Sequence, residues 1–98
     1  MRLAVLLTAV PASEDVRTVR QLALAALRLG HQVTVFLNAD GVSSAATMVD
    51  LGEQGAILAA CTLSARQRNV ALIPGIHWGS QLDWAEAVHD ADRVVTFG

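Results

Sequence analysis

Apolar residues fall along this chain in two patterns, short unbroken runs and stripes at helical spacing. Leu3 to Leu7 is an unbroken run, as expected of a strand buried on both faces of a parallel sheet, and Pro11 closes the segment. Ser13 before Glu14 and Asp15 marks a helix start, a capping hydroxyl followed by acids where the helix dipole favours them. Val16, Val19, Ala23 and Ala26, widened by Leu22 and Leu29, form the apolar stripe of that helix. Arg17, Arg20, Gln21 and Arg28 lie opposite, Leu24 interrupts the polar side, and Gly30 ends the helix.

Val33 to Leu37 predicts a second strand, and Asn38-Ala39-Asp40-Gly41 is turn chemistry. A second helix starts at Ser43 or Ser44 and reaches about Leu51, with Gly52 and Gly55 punctuating the connection after it. Ala56 to Ala60 is a third buried-type run, closed by Cys61. Thr62 or Ser64 then opens a short helix through about Arg68, with Asn69 suited to a left-handed cap. Val70 to Ile73 is read as a fourth strand and Pro74 to Gly79 as a loop carrying His77 and Trp78. Ser80 with Asp83 resembles a capping box; Leu82, Ala85, Val88 and Ala91 are the apolar face of a last helix, and Arg93 to Phe97 is a last strand. This alternation predicts one α/β domain over residues 1–98, a three-layer αβα sandwich around a mostly parallel sheet of four to five strands. There are no repeats, linkers or low-complexity tracts.

Composition narrows the function. The chain is 53% apolar and 16% charged, against about 25% charged in ordinary soluble domains, which points to a self-association surface. Seven arginines, no lysine and nine carboxylates leave a net charge of −2, with no basic cluster for nucleic acid and no Schiff-base or P-loop lysine. Two Phe, two Trp and no Tyr argue against a base-stacking platform. One cysteine rules out a disulfide within the chain and fits a reducing, cytoplasmic setting. Met1 to Ala12 has the outline of a signal peptide but falls short of the roughly 15–30 residues needed, so a first strand fits better. No apolar run approaches the roughly 18 residues of a membrane span, and no membrane partner is expected.

Ligands of open parallel sheets bind beyond the carboxyl ends of the strands. Those ends carry Thr8 to Ser13, then Asn38, Asp40 and Gly41, then Cys61, Thr62 and Ser64, then Pro74 to Ser80. Cys61 is the catalytic candidate. A helix N-terminus offers free amide donors that stabilise a thiolate, Thr62 and Ser64 add hydroxyls, and Arg66 and Arg68 are near in sequence. A thiolate attacks sulfur and so can carry a persulfide. The competing reading is a small, inert, buried hydrophobe.

Counting residues tests several other chemistries. No C-x-x-C exists, C-x5-R fails at Gln67, and the C-x4-R count to Arg66 lacks the glycines of a rhodanese-type loop. Thr8 to Ser13 has no glycine for a flavin phosphate, and Cys61 stands where a receiver domain needs its acceptor aspartate. Three histidines without partner spacing predict no metal site, and no cofactor is expected. His77 is a candidate proton donor beside Cys61 or an ordinary loop histidine; Asp40 is a turn residue or a site lining; Arg66 is an anion partner or a solvated face. His31 and His89 read as structural, and Trp78 and Trp84 as core or interface anchors.

Together, Leu27-Arg28-Leu29-Gly30-His31-Gln32-Val33-Thr34-Val35-Phe36-Leu37, Asp40-Gly41-Val42, Cys61-Thr62-Leu63-Ser64-Ala65 with Arg68-Asn69-Val70, and Ala91-Asp92-Arg93-Val94-Val95-Thr96-Phe97 resemble the DsrE/DsrF-like family of small sulfur-relay proteins, TusD-type subunits included. The resemblance runs over nearly the whole chain and departs at Asn69, where the family commonly has glycine. It implies a flavodoxin-like three-layer fold and trimers or hexamers of like or related subunits. It also implies a persulfide on Cys61, passed between donor and acceptor proteins. Some relatives lack the cysteine, so a non-catalytic oligomeric binding module, or a subunit whose active partner is another chain, is the alternative.

Overall fold

The computed structural model describes residues 1–98. Five strands, β1 (Arg2–Leu7), β2 (Gln32–Leu37), β3 (Ile57–Cys61), β4 (His77–Gly79) and β5 (Arg93–Phe97), form one sheet in the order β4-β3-β2-β1-β5. Every neighbouring pair is parallel. Four helices connect them: α1 (Glu14–Arg28), α2 (Ala45–Glu53), α3 (Thr62–Gln67) and α4 (Gln81–Asp90). This is the expected three-layer, flavodoxin-like α/β architecture, with the last strand placed beyond β1.

The strand order decides which helix covers which face. From β1 to β4 the chain steps outward in one direction, so right-handed crossovers put α1, α2 and α3 on one face. The step from β4 to β5 runs back across the sheet and puts α4 on the other face. The packing agrees. Leu3, Val5, Leu7, Val33, Val35, Leu37, Leu58 and Ala60 meet Val19, Ala23 and Ala26 of α1, Met48 and Leu51 of α2 and Ala65 of α3 in the main core. Phe36, Ala59 and Cys61 point the other way, with Leu6 and with Trp84 of α4, whose ring centroid is 6.0 Å from that of Phe36. Burying one such aliphatic or aromatic side chain stabilises the fold by roughly 1.5–3 kcal/mol.

Local chemistry sets the element ends as the sequence predicts. Ser13 Oγ accepts the Asp15 N–H at the start of α1. Helices α1, α2 and α3 all end on a left-handed residue, Gly30 (φ 84°), Gly55 (φ 109°) and Asn69 (φ 55°). The next N–H in each case, of His31, Ala56 or Val70, reaches back to the carbonyl of Ala26, Leu51 or Ala65. At α4, Ser80 Oγ accepts from Leu82 N–H while Ser80 N–H donates to Asp83 Oδ2 at 2.8 Å, the reciprocal cap that the spacing predicts. Arg20 clamps α1 to α2 through both carboxylate oxygens of Asp50, at 2.6 and 2.7 Å, and through the Thr47 carbonyl.

Two expectations need correcting. The turn at Asn38 to Gly41 is the entry to a 3-10 helix (Ala39–Ser44) that runs directly into α2. The fourth strand is His77–Gly79, not Val70–Ile73. Residues 70–73 stay out of the ladder, and two of their donors are spent locally: Val70 N–H on Ala65 and Ile73 N–H on Ala71. The Val70 and Ile73 side chains still pack on the main core, and the Ile73 carbonyl accepts Trp78 Nε1 at 2.8 Å.

Candidate functional site

Neighbouring strands β3 and β4 send the chain to opposite faces, β3 to α3 and β4 to α4. Such a switch point opens a crevice at the carboxyl edge of a parallel sheet, where ligands bind. Cys61, the last residue of β3, stands there, in register with Gly79, the last residue of β4.

Cys61 is also the N-cap of α3. Its Sγ accepts the Ser64 N–H at 3.4 Å, the role a serine or aspartate oxygen ordinarily fills. The residue is 6% exposed, and none of the surface clefts is lined by it. Burial pushes the thiol pKa up. The Ser64 hydroxyl, the N–H groups of Ser64 and Leu63 and the Gln81 amide all favour the thiolate, and together they hold the thiol below its ordinary value. Helix α3 is six residues long, so these few aimed donors matter more than a macrodipole.

A polar network surrounds the cap. Ser64 Oγ donates to Asn38 Oδ1 at 3.1 Å and accepts the Ala39 N–H at 3.1 Å. Asn38 Oδ1 takes a second donor, Gln81 Nε2, at 2.9 Å. Arg68 Nε binds Asp40 Oδ1 at 2.9 Å while its Nη1 reaches the Ser64 carbonyl at 3.3 Å; with the Ala39–Ser64 bond, the 3-10 helix is tied to the α3 segment twice. Gly41 permits this approach: a Cβ there would run into the Leu7 carbonyl at the end of β1.

The sequence candidates divide accordingly. Cys61 and Ser64 are brought into contact, and Asp40 joins their surroundings through Arg68. Thr62 is half-buried in the first turn of α3 and makes no side-chain hydrogen bond. Arg66 is exposed and unpaired; the arginine wired to the site is Arg68. His77 lies on a strand rather than in a loop and pairs with Asp83, Nε2 to Oδ1 at 3.1 Å, with no hydrogen bond to Cys61. The Ser80 N–H, more than His77, holds the Asp83 carboxyl below the usual carboxylate range.

Sequence reasoning does not single out Gln81. The available signal is its place directly after the Ser80 cap, on the same carboxyl edge as Cys61. No group of three or more His, Cys, Asp and Glu side chains converges anywhere in the fold, and no helix is long and apolar enough to cross a membrane.

Fold and site thus define a small α/β domain with one cysteine at the switch point of a five-stranded parallel sheet. The DsrE/DsrF-like family model matches residues 1–48, so over that stretch the chain is similar to the family that its residues resemble. The matched stretch ends before Cys61. Among solved structures, the chain is similar to the YchN protein from E. coli, at 21% identity and a TM-score of 0.82, covering 98% of this chain and 97% of that one. It is also similar to BT1422, a conserved protein of unknown function from Bacteroides thetaiotaomicron, at 16% identity and a TM-score of 0.77, covering 98% and 94%. At these identities the two structures establish the fold. No curated protein matches the sequence.

Proposed function

We propose that this protein is a cytoplasmic sulfur carrier, a sulfurtransferase in the sense of a sulfur relay, acting as one DsrE/F-like domain over residues 1–98. The observation that carries this reading is the Cys61 sulfur standing as an acceptor of aimed donors at the sheet's switch point. The Cys61 thiolate attacks the outer sulfur of a donor persulfide, R–S–SH. The new bond joins Cys61 Sγ to that sulfur, the old S–S bond breaks, and R–S⁻ leaves with the electron pair, giving Cys61–S–SH with no net oxidation. An acceptor protein's thiolate repeats the exchange and regenerates Cys61. The Ser64 N–H and hydroxyl stabilise the anion at each stage, with Thr62 at the mouth of the helix turn. Asp40 acts through Arg68. Arg66, exposed on α3, and His77, held by Asp83, face the donor or acceptor protein. Assembly into trimers or hexamers of like or related chains follows the family resemblance.

A second reading, a non-catalytic oligomeric module or subunit, is favoured by one observation: Cys61 is 6% exposed. Intact-mass spectrometry after incubation with a persulfide-generating donor separates the two. The carrier gains about 32 Da, one sulfur atom, reversibly with dithiothreitol, and Cys61→Ser gains nothing. Serine caps a helix well, so that variant keeps its fold. Equal mass gain in both proteins, or none in either, overturns the carrier reading.

A further inference from the structure

The order β4-β3-β2 has a geometric consequence for access to the sulfur. Asn38 directly follows β2, and Gln81 comes two residues after β4. A bond between them must cross the carboxyl end of the strand between, β3, which ends at Cys61. That bond exists, Gln81 Nε2 to Asn38 Oδ1 at 2.9 Å, joining residues 43 apart in sequence. It spans the two walls of the crevice, since Asn38 opens into the 3-10 helix and Gln81 begins α4 on the opposite face.

Two features make Gln81 the movable half of this bridge. Asn38 is partly buried and is held by a second partner, the Ser64 hydroxyl at 3.1 Å, whereas Gln81 is exposed and, besides Asn38, its amide faces only the Cys61 sulfur. A single neutral hydrogen bond in contact with water is weak in net terms, so Gln81 can release at little cost while Ser64, Asn38 and the capped sulfur stay in place. With the bridge closed, Cys61 lines no cleft, so a donor sulfur has no straight approach.

We propose that Gln81 is the gating and positioning residue of the Cys61 site: docked on Asn38 it closes the crevice over the sulfur, and undocked it admits a donor or acceptor thiol. This rests on the reading of Cys61 as the sulfur-accepting group. The gate favours a narrow, extended donor segment, because opening moves one side chain and no backbone.

The test compares the full-length wild type with Gln81→Ala and Gln81→Glu in alkylation of Cys61 by iodoacetamide and by a bulky fluorescein maleimide, across pH. Ionisable side chains on the elements around the sulfur are Asp40, Arg66, Arg68, His77, Asp83, Glu86, His89 and Asp90; Asp40–Arg68 and His77–Asp83 are paired, and all eight are unchanged in both variants. Gln81→Ala is expected to speed the bulky reagent about five- to tenfold relative to the small one, the factor for losing one such bond. Its thiolate titration is expected to move up, because a donor to sulfur is gone. Gln81→Glu is expected to open the gate as well and to move the titration further up, since a carboxylate opposes a nearby thiolate. An unchanged ratio between the two reagents in both variants overturns the gate. Alkylation does not depend on persulfide loading. Gated alkylation without sulfur uptake therefore overturns the carrier alone, and sulfur uptake without gating overturns the gate alone.

Discussion

Cys61 and Gly79 are partners across the last rung of the β3–β4 ladder, and the glycine's missing side chain is where the Asp83 carboxylate lies. A Cβ on Gly79 would run into Asp83 Oδ2 and press on His77 Nε2. Gly79→Ala is therefore expected to displace Asp83, break the reciprocal cap of α4 and cost about 1–3 kcal/mol, as overpacking does. Urea unfolding monitored by tryptophan fluorescence measures it. Because Gln81 lies two residues before Asp83, the same variant is expected to alter Cys61 alkylation as well.

The pH dependence of the thiol reports its donors. Wild-type alkylation is expected to titrate with a midpoint below that of an unperturbed cysteine measured under the same conditions. Ser64→Ala removes a hydroxyl donor and is expected to raise that midpoint, slowing the reaction near pH 7. A midpoint unmoved by Ser64→Ala would show that the backbone N–H groups alone carry the effect.

Two carboxylates link stability to acid. Asp50 is held below the usual range first by its hydrogen bonds to Arg20, and Asp83 first by the Ser80 N–H. A carboxylate depressed by folding stabilises the fold fully above its unfolded value near 4, and that contribution disappears as pH falls through the lower folded value. Asp50→Asn and Asp83→Asn are each expected to lower stability at neutral pH and to flatten its fall between about pH 5 and 2, so that variant and wild type converge in acid. Chemical denaturation at a series of pH values checks both.

Asn69 holds a left-handed conformation that asparagine tolerates and glycine adopts freely. Asn69→Gly is expected to shift stability by less than about 1 kcal/mol in either direction, since relief of backbone strain is offset by a more flexible unfolded chain. Asn69→Val is expected to destabilise by more than about 1 kcal/mol, because a β-branched residue is poorly tolerated at positive φ. Thermal unfolding of the three proteins orders them.

Wherever pattern and cap chemistry are local, the sequence is sufficient. The run Leu3 to Leu7, the Ser13 cap, the left-handed ends at Gly30 and Asn69 and the Ser80–Asp83 box all stand in the structure where their residue types put them. The failures share one physical cause, that the deciding contact is remote. β4 is three residues long, too short to show a period, and it is specified by pairing with Ala59, Ala60 and Cys61. Val70 to Ile73 carries strand-like residues, but the Val70 N–H is claimed by the end of α3 and the Ile73 N–H by Ala71. Of the site, Cys61 at a strand end is readable from the order of elements. The Asn38–Gln81 bond is not, because it needs the strand order that places β2 and β4 on either side of β3.

The two faces of the sheet are unequally covered, and this sets the tempo of the molecule. Helices α1 and α2 each bury three residues, but no residue of α4 is fully buried, and Trp84 with the Ser80 cap is its main attachment. Segments with little buried apolar contact open at a free energy well below that of global unfolding. Amide hydrogens of α4 should accordingly exchange with deuterium while those of α1, β1 and β2 remain protected. One wall of the cysteine's crevice would then breathe within an otherwise intact fold.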